Sequence, residues 1–253
     1  MVQANNYTIE NFDPEVLREY DIRGVVGENI NKNTAYTIGR TFGYTVKSKL
    51  RSDTIVTGYD GRLTSPTLHE ALCEGLKDAG STVINIGMGP TPMTYFAHYH
   101  CDADAAIMVT GSHNPSEYNG FKMVFNKHSF FAEDIQSLQS LIRDNKLKLL
   151  EGKIIHQDIT QDYISRNLLN ISLKRKLKIA WDPGNGAMGA LIRRITDKLI
   201  NSENIIINEE VDGNFPNHHP DPGKIDNLKD LINEVRKQKA DLGLAFDGDG
   251  DRV

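Results

Sequence analysis

Residues 53–92 read DTIVTGYDGRLTSPTLHEALCEGLKDAGSTVINIGMGPTP. The flanks, "DTIVTGYDGR" (53–62) and "STVINIGMGPTP" (81–92), are rich in Val, Ile or Met and then break into Gly or Pro. That is the pattern of a strand running into a loop. The middle, "SPTLHEALCEGLKDAG" (65–80), has a different period: Leu68, Ala71, Leu72, Leu76 and Ala79 fall on one helical face. Ser65 can cap this helix, Pro66 suits its first turn and Gly80 closes it. Strand, amphipathic helix and strand in succession imply a mostly parallel sheet with helices packed on it. A third run, "AAIMVTGSHNP" (105–115), repeats the strand-to-loop pattern.

The second half has the same rhythm without a residue-level repeat. "LKIAWDPGNG" (177–186) predicts strand and glycine turn, "AMGALIRRITDKLI" (187–200) helix, and "NIIINEEV" (204–211) strand. "DNLKDLINEVRKQKA" (226–240) predicts helix and "DLGLAF" (241–246) strand. The charged stretch "KLKLLEGKIIHQDITQD" (146–162) is the expected boundary. A length of 253 residues suits two domains. The fold expected is α/β, with two consecutive three-layer α/β domains, 12–155 and 156–253, built on mixed, mostly parallel sheets.

Composition excludes several functions. With 34 acidic against 29 basic residues, a nucleic-acid-binding surface is not the main business. No apolar run approaches the roughly 20 residues that span a bilayer. The start "MVQANNYTIENFDPE" lacks the basic and apolar regions of a signal peptide. Cys73 and Cys101 match no metal or redox spacing and suit reduced thiols in a cytoplasmic protein.

The chemistry concentrates in two loops. "DGDGDR" (247–252) alternates Asp247, Asp249 and Asp251 with glycine, so a compact loop can aim three carboxylates at one centre. Oxygen-only ligands favour a hard cation, Mg²⁺ or Ca²⁺. An EF-hand would place Gly where Arg252 stands and would not follow a strand. A solvated acidic turn is the bland alternative, although three acids after a buried strand need neutralising. In "TGSHNPSEYNGFK" (110–122), Ser112 stands at a strand end beside Gly111, which leaves room for close approach. His113, Asn114 and Lys122 are nearby polar partners. The loop has no G-x-S-x-G elbow, so it is not a hydrolase triad. Ligands of open α/β sheets sit at the carboxyl ends of strands, so both loops could face one cleft.

Other clusters read more plainly on their own. Arg23 in "EYDIRG" (19–24) could bind an anion, but a surface role is favoured without further context. Asp60 and Arg62 in "GYDGR" (58–62) lock a turn, and "DPGNGA" (182–187) is a tight turn into a helix rather than a phosphate cradle. The adjacent His218 and His219 are structural or surface residues.

Taken together, "EYDIRG", "TGSHNPSEYNGFK", "VDGNFPNHHPDPGKIDNL" (211–228) and "FDGDGDR" (246–252) occur in the order seen in the α-D-phosphohexomutases. From about residue 12 onward the chain closely resembles the phosphomannomutase/phosphoglucomutase branch. The resemblance implies an Mg²⁺-dependent intramolecular phosphotransferase interconverting hexose 1-phosphate and 6-phosphate through a phosphoserine and a bisphosphate. It implies Ser112 as the phosphoserine, with Asp247, Asp249, Asp251 and a Ser112 phosphoryl oxygen holding the metal. Lys122 would act as acid/base or charge stabiliser, and Arg252 and Arg23 would steady the phosphoryl group. Tyr20, His113 and Asn114 would line the same pocket.

The family normally has four domains, and the resemblance covers the first two, with the second clipped after its metal loop. The implied partners are hexose monophosphate and hexose 1,6-bisphosphate, with a second polypeptide carrying the other domains as one alternative. A non-catalytic metal- or phosphate-binding fragment is another, and a metal-dependent phosphatase a third. Sugar preference is not legible, because the sugar-contacting loops belong to the later domains.

Overall fold

The structure is a computed structural model and describes residues 7–253. The signal-peptide expectation falls partly on residues 1–6, outside the described residues. The first half runs β1 (Ile22–Val25), α1 (Lys32–Leu50), β2 (Thr54–Tyr59), α2 (Ser65–Asp78), β3 (Thr82–Met88) and α3 (Thr91–His100). It continues through β4 (Ala105–Val109), β5 (Tyr118–Phe125), β6 (His128–Ser129), α4 (Glu133–Arg143) and β7 (Lys153–His156). The second half comprises α5 (Thr160–Leu168), β8 (Leu177–Asp182), α6 (Gly189–Thr196), β9 (Ser202–Ile206), α7 (Lys229–Gln238) and β10 (Leu242–Ala245).

The first sheet has the order β1-β5-β4-β2-β3-β7, with β6 paired to β5. Strands β4, β2, β3 and β7 are parallel, whereas β5 runs antiparallel to β4 and β1. The reversal is possible because a short loop, residues 110–117, joins β4 directly to β5, where a parallel step would need a crossover. Alternation along the strands covers both faces. Ile55, Ile107 and Val109 join the core under α1, α2 and α4, while Val56, Ala106 and Ile84 pack against α3 and α5 residues such as Met93, Ala97 and Tyr163.

The second sheet, β10-β8-β9, is parallel. Ile179 and Trp181 pack on Met188, the residue before α6, and on Ile192 of α6, and Ala180 faces the other way onto Leu231 of α7. Both sheets therefore sit between helices, giving mixed, mostly parallel α/β/α layers. Leu191 of α6 belongs to the core beneath α3 and α5, so the two halves share apolar contact.

Several elements differ from their expected bounds. Strand β7 lies inside the charged stretch 146–162 and helix α5 begins in it; β7 has only four residues, two of them charged or ionisable, which hides its alternation. Helix α6 covers Gly189–Thr196, shorter at both ends than expected, and the Ala187 N–H before it is bonded to the Gly248 carbonyl. Strand β9 ends at Ile206 because Asn208 turns into the left-handed region at φ +51. Ser65 does not cap α2; it is the first helical residue, and its hydroxyl reaches Asp60. Cys73 and Cys101 are free, and burial pushes the Cys73 thiol up to about 12.

Helices α1 and α2 meet through glycine. A Cβ on Gly75 would stand 2.2 Å from the Tyr36 carbonyl oxygen, and one on Gly39 would stand 2.4 Å from that of Leu72. Both obstacles are backbone atoms, which cannot swing aside. Helix propensity alone makes Gly75→Ala stabilising by about 1 kcal/mol. Overpacking of the helix contact predicts the opposite, a net loss of about 1–3 kcal/mol in urea unfolding; a stabilised variant would refute this account of the helix pair.

Candidate functional site

The serine loop leaves β4 at Val109 and is shaped from beneath by two buried charges. Thr110 Oγ1 donates to Asp60 Oδ2 at 2.8 Å and accepts the Ser112 N–H at 2.7 Å. The Gly111 N–H points to the same Asp60 oxygen at 3.3 Å, while Asp60 Oδ1 accepts the Arg62 N–H and the Ser65 hydroxyl. Arg62, 1% exposed, donates to the carbonyls of Ser112 (2.8 Å), Asn114 (2.6 Å), Pro115 (2.6 Å) and Tyr118 (3.0 Å). Burial pushes Asp60 up and Arg62 down, and the charge of each opposes the shift of the other.

Inside this frame Ser112 is fully buried with φ +52. A left-handed conformation costs a non-glycine residue about 1–2 kcal/mol, so the surroundings must hold it there. A Cβ on Gly111 would lie 2.5 Å from the Arg62 guanidinium carbon. The space that glycine leaves is thus filled by Arg62.

The aspartate loop follows β10. Asp247 is fully buried; its Oδ1 accepts the N–H groups of Asp251 and Arg252, both at 3.1 Å. Ser112 Oγ donates to Asp247 Oδ2 at 3.1 Å, across 135 residues of chain. Asp249 is also fully buried, anchored at its carbonyl by the Thr91 N–H and at Oδ2 by the Thr91 hydroxyl and Lys122 Nζ (2.7 Å). Lys122 reaches Asp251 Oδ2 at 2.5 Å as well. Its position opposite Met108 in the β4–β5 register places it beside the serine loop.

The three aspartates present oxygens within 4.8 Å of one another. Asp249 Oδ1 is buried and makes no hydrogen bond among the described residues. Burial, then the charges of Asp249 and Asp251, push Asp247 up to about 7. Lys122 holds Asp249 below the usual carboxylate range despite burial. Burial pulls the Lys122 ammonium down, but the two aspartates outweigh it and raise it. An all-oxygen donor set, excess negative charge and a partnerless buried oxygen fit a hard divalent cation.

The other residues singled out from sequence fall as follows. His113 Nδ1 is 3.3 Å from Ser112 Oγ; burial, then the charges of Arg252 and Arg23, lower its pKa. Arg23 donates to Asn114 Oδ1 at 2.8 Å and pairs with Asp21. Arg252 is half exposed, with Nε 3.9 Å from both Asp247 and Asp251. Tyr20 is 72% exposed and makes no hydrogen bond to the cluster among the described residues.

Some residues carry more than their sequence suggests. Asp60 and Arg62 do lock their own turn, but they also hold the serine loop. Thr91 orients Asp249. His219 takes the structural half of its expected role, with its Nε2 2.6 Å from the His113 carbonyl. His218 pairs with Asp182 at 2.9 Å, a hydrogen bond that raises its pKa. The available signal was position: "GYDGR" and "TGSHNP" end strands that neighbour each other in the sheet. The "DPGNGA" segment is the expected turn, with Gly184 and Asn185 both at positive φ.

Residues 14–148 match the family model of the phosphoglucomutase/phosphomannomutase α/β/α domain I, and residues 160–253 match that of domain II. The chain is 46% identical over 239 residues to a phosphomannomutase/phosphoglucomutase of Pseudomonas putida, covering 94% of this chain and 51% of that protein. It is 41% identical over 241 residues to a phosphoglucomutase of Neisseria gonorrhoeae, covering 94% of this chain and 52% of that protein. The crystal structure of a phosphoglucomutase/phosphomannomutase family protein from Burkholderia thailandensis superposes with a TM-score of 0.90 at 40% identity, over 95% of this chain and 54% of that one. The chain thus spans about half the length of the relatives it matches. On these matches and on the fold they share, the chain belongs to the phosphoglucomutase/phosphomannomutase family of α-D-phosphohexomutases.

Proposed function

We propose that this chain carries the phosphoserine and the metal site of a hexose phosphate mutase, which moves a phosphoryl group between O1 and O6 of the sugar. The observation that carries this reading is the approach of Ser112 Oγ to Asp247 at 3.1 Å, in a trio where Asp249 Oδ1 makes no hydrogen bond among the described residues. Asp247, Asp249 and Asp251, with Ser112, would hold Mg²⁺. When bound, the ion neutralises the phosphoryl oxygens. The whole mutase reaction is not assigned to this chain by itself, since the chain spans about half the length of its relatives. The half-reaction at Ser112 is assigned to this chain.

In that half-reaction the Ser112 hydroxyl oxygen attacks a phosphorus of a hexose 1,6-bisphosphate. The new bond is Oγ–P, the bond broken is P–O of the sugar, and the sugar oxygen leaves as a hydroxyl. His113, whose lowered pKa favours neutral imidazole, offers Nδ1 at 3.3 Å to take the Ser112 proton. Lys122, raised by Asp249 and Asp251, remains an ammonium and serves as charge partner and proton donor to the departing sugar oxygen. Arg23, fixed through Asn114, and Arg252, half exposed at the rim, would grip the phosphoryl oxygens. Phosphoryl transfer depends on such alignment and charge placement rather than on covalent ingenuity. The reverse transfer, from phosphoserine to a hexose monophosphate, uses the same groups with proton directions exchanged.

Two experiments test this reading. Exposure of the chain to glucose 1,6-bisphosphate and Mg²⁺, followed by intact-mass measurement and site mapping, should show one phosphoryl group on Ser112 and none in Ser112→Ala. A wild-type chain that stays unmodified would overturn the assignment. The second concerns Lys122, the only side-chain cation hydrogen-bonded to the aspartate trio among the described residues. In Lys122→Met the trio loses its internal neutraliser, so the apo protein should be destabilised by about 3–5 kcal/mol. Added Mg²⁺ should then raise its melting temperature more than it raises the wild type's, while phosphorylation of Ser112 slows by about 10²–10⁴. An equal Mg²⁺ response in the two proteins would place the ion elsewhere.

A further inference from the structure

Arg62 lies outside the set of groups that meet substrate in the reading above, yet it is among the largest fully buried side chains of the protein. All of its side-chain hydrogen bonds run to one short segment. One terminal nitrogen takes the carbonyls of Ser112 and Asn114, and the other takes those of Pro115 and Tyr118. Four carbonyls gathered around one planar fork form a template for backbone shape. A lysine ammonium, a compact point charge, cannot reproduce that template. The guanidinium is fixed in turn from both sides: its Nε lies 3.3 Å from Asp60 Oδ2, and its carbon stands 5.3 Å from the ring centre of Phe215. Phe215 comes from the second half of the chain, from the loop between β9 and α7. A Cβ on Gly213 of that loop would lie 2.5 Å from the Leu63 N and 2.8 Å from the Arg62 Cα, so the loop sits directly on this turn.

We propose that Arg62 is the positioning residue of the phosphoserine loop: by binding four loop carbonyls it holds Ser112 in its left-handed conformation, with Oγ aimed at the aspartate trio, and Phe215 caps it there. The proposal rests on the reading of Ser112 as phosphoryl acceptor. It makes Arg62 act through backbone alone, without touching the phosphoryl group. Its two neighbours divide the work. Asp60 holds the start of the loop through Thr110 and Gly111, and Arg62 holds the middle and the end. The segment 212–219 closes over both, with Phe215 on Arg62 and His219 on the His113 carbonyl.

The test compares wild type with Arg62→Lys in single-turnover phosphorylation by glucose 1,6-bisphosphate and Mg²⁺, using the full chain. A purely structural arginine affects how many molecules react; a positioning arginine affects how fast each one does. The expected result is a rate constant lowered about 100-fold with the final extent of phosphorylation preserved, the scale at which small misplacements act. Amide hydrogen exchange should rise across residues 111–118 and stay unchanged in α1 and α2. A wild-type rate constant with reduced extent, or unchanged exchange at 111–118, overturns the proposal. If wild type itself takes no phosphoryl group, the function proposed above fails, and exchange at 111–118 alone decides whether Arg62 sets the loop. Should Arg62→Lys not fold, Phe215→Leu removes the cap and leaves the hydrogen bonds. It should slow phosphorylation about 10-fold at full extent, a fraction of the Arg62 effect, and an unchanged rate constant would equally overturn the proposal.

Discussion

Three carboxylates whose oxygens lie within 4.8 Å of one another, two of them fully buried, set the central constraint of this structure. At an effective dielectric of about 20, two like charges 4 Å apart repel by about 4 kcal/mol. Such a cluster persists only if positive charge is delivered to it. Lys122 does so by bridging Asp249 and Asp251, while burial, and then the charges of those two aspartates, still push Asp247 up. Lys122 sits on the first sheet and the trio on a loop after the second. The same ion pairs that neutralise the cluster therefore tie the two halves of the chain together, alongside the apolar contact of Leu191.

The topology makes that delivery possible. Strand β4 leads into the serine loop and β10 into the aspartate loop, each at the carboxyl end of its strand, where open α/β sheets place their ligands. The immediate reversal from β4 to β5 matters as much. It brings Lys122 back along β5 to a position beside the serine loop it has just left. A helical crossover after β4 would have carried the next strand to a different place in the sheet. Thr91, at the start of α3, adds a third strand-end element by fixing both the backbone and the side chain of Asp249.

Much of this was legible in the sequence for identifiable reasons. Strand ends marked by Gly or Pro, together with the helix of Leu68, Leu72 and Leu76, announced the α/β/α layers, because each pattern depends on local period alone. The aspartate loop stood out because three acids after a buried strand need neutralising, and Ser112 because Gly111, Asn114 and Lys122 crowd the end of its strand. What escaped were contacts that pair ordinary residues over long separations. Arg62 reads as a turn residue because its own turn is bonded to Asp60, and nothing local shows that four carbonyls from residues 112–118 converge on it. His219 reads only as a structural or surface residue because its acceptor, the His113 carbonyl, is a backbone atom that leaves no trace in sequence. Strand β7 was hidden because four residues bearing lysine and histidine carry too little alternation to stand out.

The comparison of Asp60 with Asp249 shows why burial alone does not mark a functional acid. Both are buried carboxylates, each with a cation close by. The Asp60 oxygens are fully engaged: they accept from the Arg62 and Gly111 N–H groups and from the hydroxyls of Ser65 and Thr110. Its charge is spent on shaping a loop, and no ligand could improve on those partners. Asp249 uses one oxygen on Thr91 and Lys122, and its buried Oδ1 makes no hydrogen bond among the described residues. An unpaired buried acceptor is unfavourable by about 1–3 kcal/mol unless something arrives to satisfy it. That deficit, set against complete satisfaction around Asp60, separates the acid whose bonds shape a loop from the acid with an acceptor to spare for the proposed cation.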